Sequence, residues 1–323
     1  HRDLHSFPTR HSSDLAIATY TIESGAIKLN NPTRTGYTFK GWTGTDLTEA
    51  TVNVTIPAES IGDRSYVATW EANPYQVAFD ANGGDGGTMA NQNFVYDTAQ
   101  NLTENAFTRT GYTFTGWNSK ADGTGTPYAD KAEVVNLTAT RDAVVTMYAQ
   151  WQPITYYVSF DKNGGTGTDM IVQKFVYDTA QPLFENAYTR KGYNFKEWTT
   201  KADGTGDKFT DKQSVKNLSA TQDEVVTIYA QWNAINYTIT YDLAGGDVAT
   251  ANPESYTIET ATFTLNNPTR SGYTFKGWTG TELSGATMTV TIAKGSTGDR
   301  SYTATWERNA ITLIDNADNS ELL

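Results

Sequence analysis

The chain has 323 residues, of which 19% are charged and 38% are hydrophobic, and it contains 8 Trp, 13 Phe and 19 Tyr. Its net charge of −12 repels phosphate backbones and argues against nucleic-acid binding, while the absence of cysteine excludes disulfides, thiolate zinc sites and cysteine nucleophiles. No apolar run approaches the ~18 residues that a membrane span needs, and the aromatic content is high enough to build folded cores.

The first 15 residues resemble nothing else in the chain. They hold all three histidines, His1, His5 and His11. We interpret residues 1–15 as a non-native leader, so we expect no zinc site from these histidines, since such a site needs ligands fixed in a tetrahedron. Because no histidine follows His11, Ser-His-Asp catalysis in the remainder of the chain is excluded.

After the leader, one motif, T-R-x-G-Y-x-F-x-(G/E)-W, occurs four times, and each copy is followed by a strand-like run that ends in a second tryptophan. The eight tryptophans are therefore divided two to a repeat, and we expect the signature residues to be structural. These residues are Gly36, Tyr37, Phe39, Trp42 and Trp70; Gly111, Tyr112, Phe114, Trp117 and Trp151; Gly192, Tyr193, Phe195, Trp198 and Trp232; and Gly272, Tyr273, Phe275, Trp278 and Trp306.

The repeats fall into two types in the order A, B, B, A. Residues 20–71 match residues 256–307 at about two-thirds of positions, and residues 75–151 match residues 156–232 at 48 of 77 positions. We predict six segments. They are leader 1–15; repeat 1, 16–72, type A and truncated at its start; repeat 2, 73–152, type B; repeat 3, 153–233, type B; repeat 4, 234–309, type A; and 310–323, the start of a further, missing domain.

Within repeat 2, a short alternating strand ends near Phe79 and leads into the turn Asp80–Gly84, whose Gly-Gly pair supplies positive φ angles. A second strand covers Asn93–Tyr96, one helical turn is expected near Thr98–Leu102, and a strictly alternating strand runs over Val144–Trp151. The predicted class is mostly β, a string of small domains with separate cores and very short linkers. Four such bodies in line would extend on the order of 100 Å.

The G-Y-x-F-x-G-W signature, the preceding F-D-x-N-G-G turn and the closing Y-x-A-x-W strand resemble the Listeria–Bacteroides repeat, the B-repeat type of internalin B. The resemblance implies an α+β, β-grasp-like fold and secreted or surface-anchored bacterial proteins, often adhesins. It brings no catalytic residues and no cofactor. Glu197 replaces the glycine that usually precedes the first tryptophan, so the close approach at that position is expected to differ in repeat 3.

Three alternative sites are weighed against structural roles. Asp80, Asn82 and Asp85 are spaced like calcium ligands, but the twelfth position is Asn91 instead of a bidentate Glu, which favours a simple turn. Carboxylates that recur in repeats 2 and 3 suggest a glycosidase pair, although turn and cap roles explain a duplicated set more simply. Sugar stacking on the first tryptophan of each repeat is less expected than burial. The recurring carboxylates are Asp97 and Asp178, Glu104 and Glu185, and Asp130 and Asp211.

The leading hypothesis for function is a non-enzymatic stalk or spacer segment of an adhesin-like protein on the bacterial surface, monomeric and extracellular. The alternative is a module that binds a glycan or a host protein through repeated weak sites. In either case the expected partner is an unidentified protein or glycan at the cell surface, with no nucleic acid and no membrane span.

Overall fold

The computed structural model describes residues 19–312, and all the regular structure in this range is β-strand. Of the predicted segments, the leader 1–15 and residues 313–323 lie outside the described residues. Repeat 1 contains β1 (Ile27–Lys28), β2 (Tyr37–Gly44), β3 (Thr55–Ile56) and β4 (Tyr66–Ala72). Repeat 2 contains β5 (Pro74–Asp80), β6 (Gln92–Val95), β7 (Gln100–Asn101), β8 (Tyr112–Asn118), β9 (Pro127–Tyr128), β10 (Glu133–Val134) and β11 (Val144–Pro153).

The second half of the chain follows the same plan. Repeat 3 contains β12 (Thr155–Asp161), β13 (Gln173–Val176), β14 (Gln181–Pro182), β15 (Tyr193–Thr199), β16 (Lys208–Phe209), β17 (Ser214–Val215) and β18 (Val225–Ala234). Repeat 4 contains β19 (Tyr237–Asp242), β20 (Ser255–Tyr256), β21 (Phe263–Thr264), β22 (Tyr273–Gly280), β23 (Thr291–Ile292) and β24 (Arg300–Arg308).

Each complete repeat is built on one mixed sheet. In repeat 2 the strand order is β6-β5-β11-β8-β9, in which β5 and β11 are parallel and the other pairs are antiparallel. Repeat 3 repeats this order as β13-β12-β18-β15-β16, and repeat 4 has the four-stranded version β20-β19-β24-β22. A second, two-stranded ladder accompanies each sheet, such as β7 with β10 in repeat 2. In repeat 1 the described residues supply β2 and β4 for the sheet, and β1 with β3 for the ladder.

The predicted helical turn at Thr98–Leu102 is wrong. Asp97 has a left-handed φ of 57°, and its N–H donates to the Asn136 side chain, so the chain turns away from β6 before a helix can begin. The Leu102 N–H then donates to the Ala132 carbonyl at 2.9 Å, and its side chain is buried. A five-residue helix is costly to nucleate. The ladder of β7 and β10 instead gives this segment hydrogen bonds and buries the Leu102 side chain. The mostly β class is confirmed, but the α+β, β-grasp-like class is not supported, because residues 19–312 contain no helix.

The first tryptophan of each repeat lies in the hydrophobic core. Trp117 is 1% exposed, Trp198 and Trp278 are 0% exposed, and Trp42 in repeat 1 is 8% exposed. Within residues 19–312 the buried hydrophobic side chains form four separate clusters, and each is drawn from a single repeat. A small repeat without disulfides thus obtains its core from a buried indole ringed by other aromatic side chains.

The second tryptophan closes each complete repeat by bonding to the glycine turn. In repeat 4 the Trp306 indole N–H donates to the Leu243 carbonyl at 3.1 Å. Trp151 bonds to Ala81 and Trp232 to Lys162 in the same way, at 2.8 and 3.0 Å. The turn that follows the first strand is therefore attached to the last strand of the same repeat.

The two glycines of this turn have different roles, so the prediction that both supply positive φ angles is wrong. Positive φ angles occur at Asn82 and Gly83, but the second glycine, Gly84, is not left-handed. In repeat 4 the second glycine, Gly246, lies so close to the Trp306 ring that a Cβ would be 2.4 Å from its Cζ2 atom. The first glycine thus permits the turn, and the second makes room for the tryptophan.

The bulge before the first tryptophan survives the replacement of glycine by Glu197. Gly116 has a φ of 140°, and a Cβ there would lie 2.7 Å from the Tyr128 carbonyl oxygen. In repeat 3 the register still shifts between Phe195 and Glu197. The Glu197 carboxylate lies 3.5 Å from the Lys208 ammonium of the neighbouring strand, so the side chain has a charged partner beside the bulge.

We predict that Gly246→Ala destabilises repeat 4 by about 1–3 kcal/mol, because the added methyl overpacks against Trp306. Native-state hydrogen exchange of the β24 amides measures this loss locally in the intact chain. The matched control is Gly285→Ala in the same repeat, where a Cβ meets nothing within 4 Å. Equal exchange rates in the two variants would contradict the assigned role of the second glycine.

Candidate functional site: the repeat junctions

The T-R-x-G-Y signature forms the same tight turn in every repeat. In repeat 1 the Tyr37 N–H donates to the Arg34 carbonyl at 3.0 Å, and Gly36 has a φ of 76°. A turn with positive φ at its third residue favours glycine there, which explains the fixed position of Gly36 in the motif. Equivalent turns occur at 109–112, 190–193 and 270–273.

The arginine and tyrosine of this turn stack on each other. The Arg34 guanidinium carbon lies 3.6 Å from the centre of the Tyr37 ring, and the corresponding distances in the other repeats are 3.8, 4.1 and 3.9 Å. In repeat 4 the arginine, Arg270, also donates to the Ala244 carbonyl at 2.8 Å, so it is held by the glycine turn. The planar guanidinium thus fixes the direction of the tyrosine side chain.

The tyrosine hydroxyl reaches an acidic side chain of the following repeat. Tyr37 in repeat 1 donates to Asp97 in repeat 2 at 2.7 Å. Tyr193 in repeat 3 donates to Glu259 in repeat 4, also at 2.7 Å. Both the A-to-B junction and the B-to-A junction therefore use a tyrosine–carboxylate pair, with aspartate in a type B repeat and glutamate in a type A repeat.

These bonds shift the pKa values of their members in opposite directions. The hydrogen bond to Asp97 raises the pKa of Tyr37, because it stabilises the protonated phenol. The same bond, together with one from the Asn136 amide, lowers the pKa of Asp97. The pKa of Tyr193 is raised by its bond to Glu259.

Ring packing accompanies the hydrogen bond between repeats 1 and 2. The Tyr37 ring meets the Tyr96 ring edge-on, with centroids 5.9 Å apart. A Cβ on Gly36 would lie 2.2 Å from the Tyr96 ring, and one on Gly192 would lie 2.7 Å from the Ile258 side chain. The turn glycine therefore also leaves space for the next repeat, a role that its position in the motif does not reveal.

The linker between repeats 1 and 2 is a single residue, Asn73, and it is fully bonded. Its N–H donates to the Gly36 carbonyl at 2.9 Å, and its carbonyl accepts from the Tyr96 N–H at 3.0 Å. Its side chain is 7% exposed, donates to the Ala139 carbonyl at 2.8 Å and accepts from the Thr38 hydroxyl at 2.6 Å. Asn73 thus joins both repeats through its backbone and its side chain.

Charged side chains at the rim of this junction add a weaker contribution. Arg141 of repeat 2 pairs with Glu71 of repeat 1 at 2.9 Å, and Lys40 approaches the same carboxylate at 3.3 Å. The Arg141 bond, followed by the Lys40 bond, lowers the pKa of Glu71. All three side chains are substantially exposed, so water and salt screen the attraction and its effect on stability is small.

The backbone bond that holds the linker recurs after every repeat. The residue three positions after the second tryptophan donates its N–H to the carbonyl of the turn glycine. The four donor and acceptor pairs are Asn73 and Gly36 at 2.9 Å, Ile154 and Gly111 at 3.0 Å, Ile235 and Gly192 at 2.9 Å, and Asn309 and Gly272 at 3.0 Å.

The first tryptophan of each repeat, the candidate platform for sugar stacking, is buried. The first tryptophans lie in the cores described above and offer no ring face to a sugar. The second tryptophans are half-buried, and those of the complete repeats use their indole N–H in closing the fold. The geometry therefore gives no support to stacking of pyranose rings on the first tryptophans.

The three residues that are spaced like calcium ligands, Asp80, Asn82 and Asp85, form hydrogen bonds within repeat 2. Asp80 accepts from the Asn82 backbone N–H at 2.7 Å, and the Asn82 side chain donates to the Ala121 and Ala149 carbonyls. Asp85 accepts from the Thr110 N–H at 2.8 Å. Within residues 19–312 no three His, Asp or Glu side chains are grouped as metal ligands would be.

The recurring carboxylates are bonded to other groups of the fold. Asp97 belongs to the junction, and the other members bind a lysine, a backbone N–H group or a side-chain amide of their own repeat. These contacts are Glu104 with Lys131 at 2.7 Å, Glu185 with Lys212 at 2.8 Å, Asp130 with the Asn105 N–H at 3.0 Å, Asp211 with the Asn186 N–H at 2.8 Å, and Asp178 with the Asn217 amide at 2.8 Å.

Sequence reasoning missed the junction acids. Asp97 was weighed only as a member of a catalytic pair, and Glu259 was not singled out. The available signal was the recurrence of an acid shortly after the second strand of a repeat, at Glu23 and Glu259 in type A and at Asp97 and Asp178 in type B.

Known proteins share this repeat. The family model for the Listeria-Bacteroides repeat domain matches residues 7–63, 75–150, 156–231 and 237–305. A "Putative Gly-rich membrane protein" of Evansella cellulosilytica is 27% identical over 329 residues, covering 97% of this chain and 36% of the relative. A "Putative membrane protein" of the same organism is 26% identical over 84% of this chain and 38% of the relative.

A third relative, Internalin H of Listeria monocytogenes, is 27% identical over 163 residues, which cover 49% of this chain and 26% of that protein. The chain therefore spans less than two fifths of the length of these curated relatives. In the part of the chain that the structure describes, no helix is long and apolar enough to cross a membrane. Four family matches in tandem cover most of the sequence, and the chain belongs to the Listeria–Bacteroides repeat family.

Proposed function

We propose that this chain is a non-enzymatic spacer, the stalk segment of an adhesin-like protein on the bacterial cell surface. The observation that carries the proposal is the bonded linker, in which Asn73 joins repeats 1 and 2 through four hydrogen bonds. A flexible tether would instead use several glycine and serine residues with a free backbone. A bonded one-residue linker suits a protein that must hold a distance.

The names of the relatives support a place at the cell envelope. Two of them are named membrane proteins, and the third is an internalin. The acidic net charge of −12 suits a soluble, monomeric segment. The partner that the spacer presents or reaches is a protein or glycan at that surface.

The alternative, a sugar-binding array, is less well supported. Its natural ligand platforms, the first tryptophans, are buried in the cores. The stacked tyrosines of the T-R-x-G-Y turns are engaged by arginine on one face, and two of them bond the next repeat. The aromatic signature is thus used within the fold and at the junctions.

We expect small-angle scattering of the full chain to give a maximum dimension on the order of 100 Å, because a spacer requires its four bodies of ~75 residues to lie in line. The measurement needs a concentration series so that association is separated from length. A maximum dimension near that of one compact 323-residue globule would refute the spacer function.

We predict that Asn73→Ala loosens the junction between repeats 1 and 2, because the loss of its buried side-chain bonds costs about 1–3 kcal/mol. The chain has no cysteine, so spin labels at Ala50→Cys and Ala121→Cys report the distance between these repeats. The distance distribution should broaden in the Asn73→Ala variant. The matched control is Asn309→Ala, since Asn309 makes the equivalent bond to Thr274 but is exposed; broadening in both variants would contradict the junction role.

The tyrosine–carboxylate bond should be insensitive to pH across the neutral range. The pKa of Asp97 is lowered, so its contribution is present above the ordinary value of 3.8 and is lost as the pH falls through the folded value. The pKa of Tyr37 is raised, so its contribution is present below 10.0 and is lost as the pH rises through the folded value. The same labelled pair should therefore keep a narrow distribution from about pH 5 to 9 and broaden as the pH rises through the raised pKa of Tyr37.

The control for alkaline pH is Tyr37→Phe, which removes the ionisable hydroxyl but keeps the ring against Tyr96. In this variant the distance distribution at alkaline pH should match the distribution at neutral pH. If the Tyr37→Phe variant broadened at alkaline pH as the wild type does, the titrating group would lie elsewhere.

A further inference from the structure

Repeats 2 and 3 have the same type and the same sheet, but they differ at one place on their surface. Repeat 3 exposes three large apolar side chains there: Ile171 is 75% exposed, Val172 is 51% exposed and Phe184 is 37% exposed. The equivalent residues of repeat 2 are Ala90, Asn91 and Thr103. We call Ile171, Val172 and Phe184 the apolar patch of repeat 3.

The three side chains of the apolar patch border one buried glutamine. Gln173 directly follows Val172 and is 3% exposed. Its side chain donates to the Pro182 carbonyl at 2.8 Å and accepts from the Phe184 N–H at 2.9 Å. The Phe184 ring also stacks on the Phe160 ring, with centroids 6.1 Å apart. Gln173 thus holds the segment before β13 beside the segment after β14, which brings the three apolar residues together.

The fold of a type B repeat does not require these apolar side chains. In repeat 2 the equivalent glutamine, Gln92, donates to the Asn101 carbonyl at 2.8 Å and accepts from the Thr103 N–H at 2.8 Å. The same two segments therefore lie together in repeat 2, with polar residues at two of the three positions. Apolar side chains contribute to folding through burial, and a group of them left in water is typical of an interaction site.

The segment that carries Ile171 is fixed by contacts that are specific to repeat 3. The Tyr188 hydroxyl accepts from the Met170 N–H at 3.0 Å. The Lys162 ammonium donates to the Gly167 carbonyl at 2.8 Å and lies 3.0 Å from the Asp169 carboxylate. Repeat 2 lacks this hydroxyl, ammonium and carboxylate, since its equivalent residues are Phe107, Ala81 and Thr88. An apolar surface that is already held in place loses less conformational entropy when it binds a partner.

The charge beside the apolar patch is positive. Lys174 is exposed, replaces Asn93 of repeat 2 and lies two positions after Val172, so the two side chains point to the same side of an extended segment. The acids nearest in sequence, Asp169 and Glu185, are each paired with a lysine of repeat 3, at 3.0 and 2.8 Å. Basic and acidic residues are nearly equal in number in repeat 3, whereas acids are twice as many in repeat 2. A carboxylate is therefore the complementary group for this place.

We propose that the apolar patch of repeat 3 binds an extended segment of a partner protein that carries apolar side chains and a carboxylate on the same side. Ile171, Val172 and Phe184 contact the apolar side chains, with Phe184 as the aromatic anchor, and the Lys174 ammonium pairs with the carboxylate. Three side chains are too few for a stable dimer, which buries about 1,200 Å² or more, so the occupant is a transient partner and not a second copy of this chain.

The test uses the full chain and a fluorescent peptide whose alternate residues are leucine, leucine, glutamate and glutamate, separated by serine. In an extended peptide these four side chains share one side. Fluorescence anisotropy should show saturable binding of this peptide or of the peptide with the reversed sequence. Two control peptides, one with lysine in place of glutamate and one with serine in place of leucine, should not bind.

Variants of the chain locate the binding. The triple variant Ile171→Ala, Val172→Asn and Phe184→Thr gives repeat 3 the residues of repeat 2, whose backbone is held by the same glutamine bonds. Its affinity for the peptide should fall at least about tenfold. Lys174→Asn should lower the affinity roughly threefold. The matched control is Ile61→Ala, which removes a side chain that is 76% exposed in repeat 1 and should leave the affinity unchanged.

Four results would overturn the proposal. The first is no saturable binding of the peptide in either direction, and the second is equal binding of the peptide that carries lysine. The third is a triple variant that binds as the wild type does. The fourth is self-association of the chain in sedimentation velocity that the triple variant abolishes, which would make a second copy the occupant. None of these results bears on the spacer function, since the apolar patch belongs to one repeat.

Discussion

The parallel pairing of the first strand of a repeat with its last strand is the interaction on which the architecture depends. In repeat 2, β5 and β11 run side by side in the same direction at the centre of the sheet. A repeat therefore begins at one end of its sheet and leaves at the other, since β11 continues ten residues in the direction in which β5 entered. At about 3.3 Å per residue, β11 spans roughly 30 Å within repeat 2. An antiparallel closure would return the chain to its starting end, so the parallel pair is what places the entry and the exit of a complete repeat at opposite ends of its sheet.

The same closure explains why one motif has been retained in four places. The T-R-x-G-Y turn begins the strand that leads to the first tryptophan, and its arginine lies beside the glycine turn that ends the first strand. The carbonyl of its glycine then receives the N–H of the linker residue. A single turn thus connects the start of the sheet, its core and the exit of the chain. Its tyrosine is left pointing outward, where the next repeat can bond it.

Much of this could be predicted from the sequence because it is local. The alternation in Val144–Trp151 and the position of the glycine turns follow from the properties of neighbouring residues. The bond from Tyr37 to Asp97 could not be predicted, because it spans 60 positions and depends on how two folded bodies meet. The prediction of a helical turn at Thr98–Leu102 was wrong for a similar reason. Ala132, whose carbonyl accepts the Leu102 N–H, is 30 residues away from Leu102 in sequence. The role predicted for the second turn glycine was wrong because the side chain that requires a glycine there, the Trp306 ring, is distant in sequence.

The short linker at the junction between repeats 1 and 2 also prevents β5 from pairing with β4. The next strand in the chain is β5, which is separated from β4 by one residue. A parallel addition of β5 to β4 would need a crossover of a dozen or more residues, and even an antiparallel hairpin needs a two-residue turn. With only Asn73 between them, β5 is directed into repeat 2, where it pairs with β11. A linker long enough to permit that self-pairing would lose the four hydrogen bonds of Asn73, so the constraint that fixes the spacing of repeats 1 and 2 also keeps β5 in the sheet of repeat 2.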